Sequence, residues 1–100
     1  MMTDKQFKDA FKTAGGWFIL TQYETIATWT GDRADLVDYI YLQGFDKNRV
    51  GSSSRVSSVL RIIENGRGRE AIMKIRDSKT INRQHIQAHK MASELLDKIH

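Results

Sequence analysis

The stretch Gly51 to Gly66, Gly-Ser-Ser-Ser-Arg-Val-Ser-Ser-Val-Leu-Arg-Ile-Ile-Glu-Asn-Gly, holds the side chains of this chain best suited to meet a polyanion. Val56, Val59, Leu60 and Ile63 recur at the spacing of one helical stripe. Ser54, Ser57, Ser58 and Arg61 fall on the other side, with Arg55 beside them. Hydroxyl and guanidinium groups are the donors that phosphate oxygens and base edges accept. At the start of the same stretch, Ser52 to Ser54, the free N–H groups of a helix N-terminus and Arg49 or Arg55 can together hold a phosphate. Plain N-capping uses the same serines. The P-loop pattern is absent, because no Gly-Lys-Ser/Thr follows at the required spacing. Further on, Arg61, Arg67, Arg69, Lys74, Arg76 and Lys79 crowd together, and glycine in Arg67-Gly68-Arg69 permits close approach of a phosphate backbone.

The expected nucleic-acid surface is therefore Arg49, Ser52, Ser54, Arg55, Ser57, Ser58, Arg61, Arg67, Arg69 and Lys74, with DNA preferred to RNA. That expectation requires the cations to gather around the outer rim of the 54–65 helix. An acidic helix followed by a Ser/Arg helix also resembles a helix-turn-helix, and the Ser/Arg phrase is similar in texture to the recognition helices of winged-helix repressors. The connection of about ten residues from Gly44 to Ser53 is longer than that motif's turn, and no two-stranded wing follows Gly66.

Other chemistry-bearing residues carry plainer readings. Asp32, Asp35 and Asp38 lie three apart, as an acidic first helical turn requires without any ligand. His85 and His89 are one turn apart, but Ile86-Gln87-Ala88 between them lacks the zincin glutamate and no third ligand is evident. There is no cysteine, which removes disulfides, thiolate metal sites and a cysteine nucleophile. No nucleophile–base spacing, metal set or cofactor loop is recognisable. The chain reads as a non-enzyme with no cofactor, no metal and no evident small-molecule substrate.

The elements that must position these residues follow from apolar periodicity and glycine, since the chain has no proline. A first helix spans Thr3 to Ala14, with Phe7, Ala10, Phe11 and Ala14 on one stripe, and stops at Gly15-Gly16. Residues 17–29 combine a helical stripe with β-favouring residues, and the period favours helix over strand. A third helix, 33–43, is capped by Asp32 and closed by Gly44, letting Phe45 fold back on Ile40. Ser53 or Ser54 caps the fourth helix, which Asn65-Gly66 ends. A fifth covers 69–76, a turn follows at 77–80, and a last helix runs from Asn82 to Ile99. Its Ala88, Met91, Ala92, Leu95, Leu96 and Ile99 should dock on the core or on a partner. The expected fold is a single all-α domain, a compact bundle of five to six short helices.

At whole-chain scale, 100 residues make one core. No apolar run approaches the length of a membrane span, and the first residues lack a signal peptide's apolar segment, so the cytoplasm is the expected location. The net charge of +4 hides a split: residues 1–46 balance to −3 and residues 47–100 to +7. An acidic and a basic face follow, the latter suited to nucleic acid, an acidic protein, or the acidic half of a second copy. Two functions are expected: a small nucleic-acid-binding domain, or a helical protein-interaction or homodimerisation module.

Overall fold

Glycines and capping side chains cut the chain into helices. In the computed structural model, which describes residues 1–99, the elements are α1 (Asp4–Ala14), α2 (Gly16–Thr28), α3 (Arg33–Tyr41), α4 (Arg49–Glu64), α5 (Gly68–Arg76), α6 (Lys79–Gln84) and α7 (Ala88–Lys98). The fold is all-α, with one helix more than the upper expectation.

Thr3 opens α1 with a capping box: its hydroxyl accepts from the Gln6 N–H while the Gln6 side chain accepts from the Thr3 N–H. Gly15, at φ +86°, turns the chain in a single residue from α1 into α2. The aromatic and β-branched run that looked strand-like is helical. Phe18, Ile19, Leu20, Tyr23 and Ile26 are all buried, so α2 is apolar on most sides because it crosses the middle of the bundle. Around it pack Ile40 of α3, Val56, Val59 and Ile62 of α4, Ile72 and Ile75 of α5, and Leu95 and Leu96 of α7. The radius of gyration, 12.8 Å, is that of one packed domain of this length.

Several boundaries and one cap differ from the sequence expectation: α3 closes at Tyr41 rather than at residue 43, and α6 begins inside the expected 77–80 turn. α4 begins at Arg49, not at Ser53 or Ser54, because Asn48 caps it by accepting from the Gly51 N–H at 2.9 Å. The α3–α4 connection is thereby shortened to residues 42–48, still too long for a helix-turn-helix turn. Asp32 stands at the N-cap of α3 but makes no side-chain capping bond. The single helix expected from Asn82 to Ile99 is two helices. Ser78 caps α6, and the chain breaks at 85–87 before α7. Gly44 does take the left-handed conformation, and Phe45 then meets the Phe18 ring edge-on at 5.0 Å.

Candidate functional site

α4 lies between α1 and α3 and above α2, so only its outer ridge reaches solvent. Along that ridge Val50, Ser54 and Arg61 are exposed, with Ser53 and Ser57 half-buried. Short hydroxyl side chains leave the ridge recessed. An open groove of about 540 Å³ follows it, lined by Thr13, Arg49, Val50, Ser53, Ser54, Ser57 and Ser58. From α3, the Arg33 guanidinium donates to the Ser57 hydroxyl. Arg49 is held beside the groove by Asp38, whose Oδ1 accepts from Arg49 Nε at 2.6 Å, and by the Ala34 carbonyl at 3.1 Å. This acid offsets a cation in the first turn of a helix, where the dipole disfavours it. Arg33 and Arg61 make no ion pair among the described residues. Arg61 is exposed one turn beyond Ser57 on the same ridge.

The other residues expected at a polyanion surface are not on this ridge, or are bonded into the fold. Ser52 is fully buried and its hydroxyl donates to Asp46 Oδ2 at 3.1 Å. Ser58 borders the groove but is itself buried. Arg55 reaches beneath α4: Nε donates to both oxygens of Asp46 at 3.0 and 3.1 Å, Nη1 donates to the Ala14 carbonyl, and the guanidinium lies 5.4 Å from the Phe18 ring centroid. Arg67 pairs with Asp4 and Glu70, donates to the Thr3 carbonyl, and covers the Phe7 ring at 4.2 Å. Lys74 covers the Phe11 ring at 4.9 Å, so two cation–π contacts join α5 to α1. Arg69 donates to the carbonyls of Leu96 and Ile99 at the end of α7, where helix carbonyls lack partners. Of the ten expected residues, Arg49, Ser54 and Ser57 are brought together at the groove in reach of solvent, and Arg61 is exposed further along the same ridge.

The charge split of the sequence is largely internal. Among the described residues six ion pairs form, and four of them join an acid from residues 1–46 to a base from 47–100: Asp38–Arg49, Asp46–Arg55, Asp4–Arg67 and Glu24–Lys98. Among the described residues no three His, Cys, Asp or Glu side chains are grouped to hold a metal ion. His85 stacks flat on Trp17, with centroids 3.8 Å apart and planes 2° from parallel.

Sequence reasoning passed over Arg33 and Thr13, whose places at the groove depend on how α3 and α1 dock against α4. Local spacing carries no trace of a contact 24 residues away. No family model matches the chain, nor does any curated protein or any solved structure.

Proposed function

We propose that this domain is a protein-interaction module whose α4 groove holds an acidic segment of another protein. The observation that carries the reading is Arg33 bonded to Ser57 at the groove, a guanidinium without a carboxylate partner among the described residues, with exposed Arg61, likewise in no ion pair among them, one turn further along the ridge. Guanidinium forks match carboxylates in geometry as well as charge. Thr13, Ser53 and Ser54 add donors and acceptors for a peptide backbone, and exposed Val50 gives an apolar contact at one end of the groove.

The nucleic-acid reading is less well supported. A recognition helix must project into a major groove about 12 Å wide, whereas α4 is flanked on both sides and recessed along its ridge. The bases without ion pairs among the described residues are also spread over α1, α3, α4, α5, α6 and α7 rather than gathered along α4. Affinity for nucleic acid scales with the number of phosphates one surface can neutralise together.

Fluorescence anisotropy with a labelled oligoglutamate peptide, a random duplex DNA and a single-stranded RNA tests the proposal. The peptide should bind, and the Arg33→Ala/Arg61→Ala double variant should weaken it about tenfold through loss of charge-assisted bonds. Any duplex binding through Arg33 and Arg61 should show a log–log salt slope no steeper than about −2. A slope several times steeper, abolished by Arg67→Ala and Arg69→Ala, would overturn the proposal in favour of nucleic acid. A mass that rises with concentration in light scattering would overturn it in favour of a second copy.

A further inference from the structure

α6 is a six-residue helix with no buried residue, too short to persist without its docking contacts. Three side chains fasten it. Ile81 sits in a notch that exists only because residue 16 is glycine: a Cβ there would stand 2.2 Å from Ile81 Cδ1. One turn later, His85 lies flat on the Trp17 indole. Between them, Asn82 Nδ2 donates to the carbonyls of Ile75, Arg76 and Ser78, which closes the end of α5. The same amide leaves Oδ1 buried without a partner, so the docked state holds an unsatisfied acceptor that undocking would release to water. Ile86 beyond the stack is 91% exposed, and an open depression of about 290 Å³ lies between it and Trp17.

We infer that residues 78–87 form a releasable strap over a docking site built from Gly16, Trp17 and the end of α5. The chemistry of its partner is written in the strap. It is a helical segment that presents an aliphatic side chain to the Gly16 notch and, four residues later, an imidazole or aromatic ring to the Trp17 face. With the strap docked the site is filled by the chain's own Ile81 and His85, and a partner segment gains access by displacing them. Local unfolding of a short, surface-held element is the conformational change required. The site shares no residue with the α4 groove and does not depend on that groove's function.

Hydrogen exchange of the full chain, with a fluorescence titration, tests the inference. In the natural protein the amides of Asn82 and His85 should exchange at least about a hundredfold faster than those of the buried face of α4, as expected of a locally opening segment. Gly16→Ala fills the notch and should speed strap exchange about tenfold further, with the strap amides still exchanging well ahead of those of α4. For docking, Trp29→Phe leaves Trp17 as the sole reporter, and His85→Ala frees its face. A synthetic peptide copying residues 77–88 should then change Trp17 emission saturably, and the peptide with Ile81→Ser should not. Strap amides as protected as those of α4, in the natural protein or in Gly16→Ala, would make the segment part of the core and overturn the inference. So would Trp17 emission indifferent to the peptide.

Discussion

At the scale of single residues, arginine and serine served two ends that look alike in a sequence. Arg55 and Ser52 have the donors a phosphate needs, and Asp46 takes them. The acid lies only nine residues before Arg55, yet nothing in the spacing says that the loop will fold it under α4. Gly51 allows this approach, since a Cβ there would be 3.0 Å from the Asp46 carboxylate. The Asp46–Arg55 pair is mostly buried, with side-chain exposures of 15% and 28%. Asp46→Ala would strand the guanidinium and should cost about 2–3 kcal/mol in urea unfolding, toward the low end for a buried pair because water still reaches it. Arg61→Ala, on the open ridge, should change stability by less than about 0.5 kcal/mol. Equal effects would contradict the division between structural and ridge arginines. Tyr23 offers a pH test. Burial pushes its phenol above the ordinary tyrosine range, because the folded protein disfavours the phenolate. The associated stability is intact below the unfolded value near 10 and falls as pH rises through the folded one. Absorbance titration should show a late-ionising tyrosine that Tyr23→Phe removes.

At the scale of elements, most helices were legible because their signals are local. Thr3 with Gln6, the Gly15 corner and the Asn65-Gly66 stop act over a few residues. The start of α4 was not, because Asn48, Ser53 and Ser54 are all competent caps. Asn48 takes the cap by accepting from the Gly51 N–H, and Asp46 ties Ser52 into the first turn through a contact that neither residue's type announces. Asn48→Ala should therefore cost about 1 kcal/mol, and Ser54→Ala a few tenths at most, in the same urea assay. The reverse order would return the helix start to the serines. The break between α6 and α7 was illegible for a related reason. Residues 85–87 contain no glycine or proline, and the kink comes from His85 meeting Trp17 and Asn82 turning to α5, partners 68 residues and one helix away in the chain.

At the scale of the molecule, the arithmetic of charge was correct and its geometry was not contained in it. A −3 half and a +7 half can make two separate faces or neutralise each other within the molecule, and four of the six ion pairs among the described residues take the second course, mostly at the surface. Cation–π contacts and a helix C-terminus occupy further bases, Lys74 and Arg69. Apart from these two, nine bases make no ion pair among the described residues, and seven of them are spread over α1, the α3–α4 connection, α6 and α7. At the hydroxyl-lined groove the cations without ion pairs are Arg33, bonded to Ser57, and Arg61 one turn along α4. Backbone and side-chain NMR during titration with an oligoglutamate peptide tests the proposal for this groove most directly. Chemical-shift changes should be confined to Thr13, Arg33, Ser54, Ser57 and Arg61. Changes centred instead on Arg67, Arg69 and Lys74, or none at all at saturating peptide, would contradict it.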